Sequence, residues 1–383
     1  MRAMFGGVAG LVLALGLTAC SSGNSTDTTL PPSGTAFMFV TTQADKKITP
    51  FTLDLTSGNV TANGDAQPTG DGPSALLLDP TGQVAFVLNS TSGDISVYNV
   101  KKDGTLTAVS GTTSTGAPNP VAMSMDAAGK FLFVANRGTF NVANTSKISV
   151  FQISGTSLTP APGSPFATVG NLPETVAVAV TPDAKFLYAA HNLDNVVSAY
   201  AVDASGVLTQ NGGTVSTGLA PAGLTVSPDG NFLYVTNSGT SSSVTGFAVC
   251  DNASPACPVA DGSLTEMTQS PFSAGLGPAY LTADETSKFL YVVDQQSNQV
   301  SAYTITAGTG ALVATAPSPN VSTGANPVWV TLSPDGNYAF VACSGASSIA
   351  RFRVNTTSGA LAVIQTVLNT GGQPSAIAMK LKN

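Results

Sequence analysis

The sequence predicts an all-β fold: a seven-bladed β-propeller of four-stranded antiparallel blades. Three observations carry this. A short β-like run with a central aromatic residue recurs at Phe39, Phe86, Phe133, Tyr188, Tyr234, Tyr291 and Phe340, at steps of 47, 47, 55, 46, 57 and 49 residues. A second aromatic follows each one (Phe51, Tyr98, Phe151, Tyr200, Phe247, Tyr303, Phe352), 12 residues on in five of the seven repeats. A Gly followed shortly by a Pro marks each period, from Gly70/Pro73 and Gly218/Pro221 to Gly371/Pro374. Four short strands in roughly 45 residues is the repeat of a propeller blade. A β-helix has much shorter rungs, and a two-sheet sandwich keeps no such fixed period.

Composition agrees. The chain has 383 residues with 39 Gly and 24 Pro, too many for a helical bundle. Hydrophobic residues make up 43%, enough for a core, while charged residues are only 9% against roughly 25% in an average soluble domain. Intrinsic disorder needs the opposite balance. Lys and Arg total 14 against 21 acids, a net charge of −7, and no basic cluster exists to neutralise phosphates. Nucleic acid is therefore excluded as a partner. One His and four Cys leave little material for a zinc site, so no metal and no cofactor is expected.

Residues 1–19 read as an address. Arg2 supplies positive charge, residues 4–17 are apolar but too short for a comfortable membrane span, and Leu17-Thr18-Ala19-Cys20 follows. That order resembles a bacterial lipobox, which implies cleavage before Cys20 and a lipid on its thiol. Residues 20–35 are polar and rich in Ser and Thr, as a flexible tether needs to be. The expectation is a propeller domain over 36–383, lipid-anchored at the bacterial cell envelope and facing the periplasm or the exterior. Ser21 resembles the outer-membrane sorting pattern.

Within each repeat the Pro-led run, such as Ala222-Gly223-Leu224-Thr225-Val226, is the first strand. A hairpin turn of the kind Pro228-Asp229-Gly230 leads to the aromatic strand, such as Phe-Leu-Tyr-Val-Thr-Asn at 232–237. Pro presets φ, Asp bonds back to the backbone and Gly takes positive φ. Asp183, Asp229 and Asp335 are thereby structural. Turns such as Thr56-Ser57-Gly58 lead to the fourth strand. The first repeat starts at its aromatic strand (36–42) and lacks a Pro-led one, while Pro374–Leu381 is an orphan Pro-led strand at the other end. One blade built from both termini closes the ring and leaves no open sheet edge between blades. A closed ring needs no partner for stability, so a monomer is expected.

The first strand lines the central channel, and the fourth-to-first and second-to-third loops share one face. The second strands end in Thr42, Asn89, Asn136, His191, Asn237, Asp294 and Cys343. The recurring Asn is expected to cap a turn; His191, the single histidine, breaks the series. Arg137 opens the longest second-to-third loop (138–146), and Glu174 follows Pro173 at the channel mouth. Tyr280 and the single tryptophan, Trp329, occupy matching positions in their first strands. Arg137, Glu174, His191, Tyr280, Asp294 and Trp329 are thus the candidate ligand-binding residues, with His191, Glu174 and Arg137 the candidates for acid–base chemistry. The alternative is that His191 replaces a capping Asn and the two aromatics plug the channel. Cys250 and Cys257 flank a six-residue insertion, and outside the cytoplasm a disulfide there would pin it; Cys343 is expected to be a small buried residue.

These features resemble the lactonase-like seven-bladed propellers, which include bacterial 6-phosphogluconolactonase and carboxymuconate-cyclising enzymes. They also resemble the surface propeller repeats named for Tyr-Val-Thr-Asn, present literally at 234–237. The enzymes of that group carry Gly-Pro-Arg-His opening a first strand and Asn-Glu ending the next. Here Gly277-Pro278-Ala279-Tyr280 and Asp294-Gln295 stand instead, and Leu172-Pro173-Glu174-Thr175 replaces an expected His-containing segment. Ala279 cannot polarise a carbonyl, and Tyr280 is a poor base near neutral pH because a phenol titrates near pH 10. The expected function is a non-enzymatic envelope module that binds a carbohydrate, peptide or protein with its loop-bearing face. The alternative is a hydrolase or cyclase of lactones with a rebuilt site. A quinone-cofactor dehydrogenase stands further off, because such propellers carry Trp-rich docking motifs.

Overall fold

The computed structural model describes residues 34–170, 174–250, 260–316 and 319–382. Seven antiparallel sheets form, each with the strand that opens its repeat innermost, Pro-led in six blades and Thr-led in one. Successive inner strands touch in a closed cycle: Pro73–Leu78, Pro120–Met125, Thr175–Val180, Pro221–Val226, Pro278–Ala283, Pro327–Leu332, Pro374–Leu381 and back to the first. Blade 1 is made from both ends of the chain. Its order runs from Pro374–Leu381 to Thr35–Thr42, Lys47–Asp54 and Val60–Ala62. Ala36 pairs with Leu381 and Phe39 with Ala378. Blades 2 to 7 begin at the other inner strands in chain order. The expected ring and its closure are therefore present.

The outer edges are less regular than the expected fourth strand. In five blades the fourth strand is cut into two short pieces that both pair with the third, as Val60–Ala62 and Gln67–Pro68 do with Lys47–Asp54. Blades 4 and 7 instead carry single nine-residue outer strands, Leu208–Ser216 and Leu361–Asn369. Short broken edges blunt unwanted strand pairing.

The core is divided into seven apolar clusters, one between each pair of neighbouring blades. Phe133, Val150, Leu187 and Tyr200 share the interface of blades 3 and 4, for example, and Phe39, Ile48, Val87 and Tyr98 that of blades 1 and 2. The seven aromatics of the second strands are all fully buried. Burying each such ring contributes about 2–3 kcal/mol, and because no cluster lies inside a single blade, a blade has little to hold it folded alone. The turns tie the interfaces further. Tyr291 donates its hydroxyl hydrogen to the carbonyl of Gly359 in the next blade, at 3.0 Å. Gly359 sits at φ +75°, and a Cβ there would strike the ring of Phe289. The expected turn aspartates behave as scaffold: Asp229 Oδ1 accepts from Ser227 Oγ at 2.5 Å and from the amide of Asn231 at 3.1 Å.

Two expectations shift. The proline of blade 4 is not Pro173, which lies outside the described residues. Thr175 takes the place that proline holds elsewhere, since it pairs with His191 as Pro120 pairs with Asn136. The second-strand asparagines are not turn caps either. They are buried and reach across to the third strand, as set out below.

Candidate functional site

The mouth of the channel is built by one backbone device repeated around the ring. In six of the seven blades the residue before the inner strand holds positive φ: Gly72 (66°), Asn119 (54°), Glu174 (36°), Ala220 (53°), Gly277 (64°) and Asn326 (51°). Its carbonyl accepts a hydrogen bond from the amide of the residue just past the second strand. Arg137 thus donates to Asn119 at 2.9 Å, Asn192 to Glu174 at 3.1 Å, Gln295 to Gly277 at 2.9 Å and Ser344 to Asn326 at 2.9 Å. Gln43 donates to Gln373 at 2.7 Å in the closing blade. This fixes a polar ring, of which Gln43, Arg137, Asn192, Ser238, Gln295 and Ser344 line a cavity of about 890 Å³. The Arg137 side chain is exposed and forms no ion pair among the described residues.

Below the ring the wall is apolar at five of seven positions. The second residues of the inner strands are Ser74, Val121, Val176, Ala222, Ala279, Val328 and Ser375, and all of them line the cavity. At the third position Ala75, Ala122, Ala177 and Gly223 line the cavity together with Tyr280 and Trp329. The two rings stack, with centroids 4.0 Å apart and planes 20° from parallel. Trp329 Nε1 donates to the carbonyl of Ile377 at 3.0 Å. The indole packs against the clusters of three successive interfaces, so it reaches across the channel from blade 7 to the side of blade 2. Enclosure by protein pushes the Tyr280 phenol above its usual range.

Of the sequence-predicted site residues, Arg137, Tyr280 and Trp329 meet at this cavity, while His191, Asp294 and Glu174 are buried and are not among the residues lining it. His191 is fully buried, with Nδ1 3.1 Å from Thr175 Oγ1 and Nε2 2.7 Å from Ser198 Oγ. Desolvation pulls its pKa down to about 4, so the ring is neutral near pH 7. The physical reason is register. Second-strand terminal residues turn inward between strands, and the following residue turns to the channel. Asn89, Asn136 and Asn237 accordingly donate their side-chain amides to Ser96, Ser149 and Thr245, each at 2.9 Å. Asp294 accepts from Ser301 Oγ at 2.5 Å, and burial pushes it up to about 6. The repeated Gly before the inner strands follows from this packing, since a Cβ on Gly218 would fall 2.8 Å from Asn237 Cγ.

Glu174 is buried, and its Oε1 has no hydrogen-bond partner. The polar ring itself escaped the sequence reading, although a step of one residue past each aromatic strand would have found it. Cys250 is disulfide-bonded, Cys257 lies outside the described residues, and Cys343 is free and fully buried. Cys20 also lies outside the described residues. Among those described, no three His, Cys, Asp or Glu side chains come together as a metal site would need.

The chain compares with known proteins as follows. Residues 35–164, 162–255 and 256–382 match the family of seven-bladed β-propeller lactonases. A stretch of 118 residues is 34% identical to 6-phosphogluconolactonase of Bacillus subtilis (strain 168), covering 30% of this chain and 34% of that relative. The match thus spans about a third of the curated relative's length. A periplasmic gluconolactonase of Pseudomonas aeruginosa superposes with a TM-score of 0.75 at 21% identity, over 90% of this chain and 99% of that one. A candidate 6-phosphogluconolactonase of Bacteroides uniformis gives 0.76 at 18% identity, over 91% of this chain and 100% of that one. Likeness at that identity carries the fold.

Proposed function

Because the chain belongs to the seven-bladed β-propeller lactonase family, we propose that it keeps that family's channel mouth as a small-molecule binding site and has given up turnover there. One observation carries the reading. The imidazole and the carboxylates of His191, Asp294 and Glu174 are spent inside the scaffold; of the two ionic residues lining the cavity, Asp126 is buried and accepts from the amide of Phe131, and Arg137 is the one exposed at the mouth. Around it stand amides and hydroxyls, which orient a ligand but do not take a proton from water near neutral pH.

The proposed setting is the bacterial envelope, with Cys20 as lipid anchor; the charge, apolar core and small residues of 2–20 support it. Strand Thr35–Thr42 runs toward the loop-bearing face, pairing Thr42 with Pro374.

A second reading, lactone hydrolysis, is favoured by family membership and by Arg137, which can polarise a ring carbonyl. The test is hydrolysis of δ-gluconolactone and dihydrocoumarin by the purified protein beside Arg137→Ala. The binding reading expects no rate above buffer from either. Turnover by the native protein that is lost in Arg137→Ala would establish hydrolysis instead.

A further inference from the structure

The cavity is divided by polarity, and the division selects a ligand. At the mouth the amide and hydroxyl ring carries one cation, Arg137. One residue deeper five of the seven wall positions are Val121, Val176, Ala222, Ala279 and Val328, side chains that neither donate nor accept hydrogen bonds, and the other two are Ser74 and Ser375, whose hydroxyls donate to the carbonyls of Leu88 and Thr41. A stacked aromatic pair forms one side. A polyhydroxylated ring lowered into this space would leave its hydroxyls facing methyl groups, at a cost of about 1–3 kcal/mol for each one left unpaired. A second observation points the same way. The loops around the mouth end in exposed apolar side chains on four consecutive blades: Phe140 at 67% exposure and Val142 on the Arg137 loop, then Leu193, Leu219 and Leu276. Here an apolar anion finds both apolar surface and a guanidinium.

We propose that the mouth takes a compact apolar monocarboxylate, an aromatic or alicyclic acid. Its ring lies against Tyr280 and Trp329 below the polar ring, and its carboxylate turns toward Arg137. The inference rests on the mouth being a binding site and names what that site selects. A single guanidinium suits one carboxylate and is too little for a phosphorylated sugar.

Calorimetric titration of the purified protein with three probes tests it: 3-phenylpropionate, 3-phenyl-1-propanol and gluconate. The expected order has the aromatic acid at least tenfold tighter than the alcohol and than gluconate. Arg137→Gln should bring the acid down to the level of the alcohol while leaving the alcohol unchanged. Trp329→Leu, read beside a melting curve that shows it folded, should weaken acid and alcohol alike. Gluconate binding as tightly as the aromatic acid, and through Arg137, overturns the ligand class while leaving the mouth as a binding site. Silence from both acids overturns both readings, and equal affinity of acid and alcohol in the native protein overturns the role given to Arg137.

Discussion

His191 Nε2 lies 2.7 Å from Ser198 Oγ, in the same second-to-third-strand relationship that joins Asn237 to Thr245 in the next blade. The imidazole is a substitute for an amide inside the scaffold. A rare residue at a second-strand end therefore serves the scaffold, and the residue after it serves the channel.

Acid should weaken the protein through His191. Its folded pKa is about 4 against 6.5 when exposed, so below pH 6.5 the unfolded chain takes up a proton that the folded chain refuses. Stability is full above pH 6.5 and declines as pH falls toward 4, by roughly 3 kcal/mol over the window. Melting curves between pH 7.5 and 4 should show the decline, and His191→Asn should lack this component.

Asp294 should act with the opposite sign. Its folded pKa is about 6 against a usual 3.8, so its contribution is greatest below pH 3.8 and is lost as pH rises through 6. Asp294→Asn restores the side chain that three other blades carry at this position. It should raise the melting temperature at pH 8 and make little difference near pH 4. An unchanged melting temperature at pH 8 would remove the argument.

Ring closure predicts that the last strand is indispensable. Removing residues 373–383 takes away the partner of Thr35–Thr42 and the carbonyl that holds the Trp329 indole. The shortened protein should aggregate or melt far below the native one in a thermal scan. Retention of the native melting temperature would contradict closure.

The turn glycine of blade 7 predicts a steep local cost. Gly359→Ala adds strain at φ +75° and drives a methyl group into the Phe289 ring. A loss of about 2–4 kcal/mol in denaturant unfolding is expected, combining the backbone and overpacking penalties.

Much of this was legible in the sequence because a repeat states its rule seven times. The period of Phe39 to Phe340, the Asp-Gly turns and the orphan strand Pro374–Leu381 each have one structural meaning, and the structure places them as read. The site was harder for the same reason. Scarce residues stand out against a repeat, so His191 and Asp294 drew attention by rarity, but rarity does not tell which way a side chain turns at a strand end. The inner strand carries a bulge between Thr175 and Ala177 at this level, and a bulge leaves no compositional mark. Arg137 was placed well because it already stood one step beyond. Glu174 was misjudged through Pro173, since only strand pairing shows that Thr175 fills the proline's place.

The most direct test of the account is an NMR titration of the imidazole, unambiguous because the chain holds one histidine. A sealed scaffold ring predicts a midpoint near pH 4 and no response to ligands bound at the mouth. A midpoint near 6.5 that moves when δ-gluconolactone or 3-phenylpropionate is added would put His191 in the working site and contradict the account.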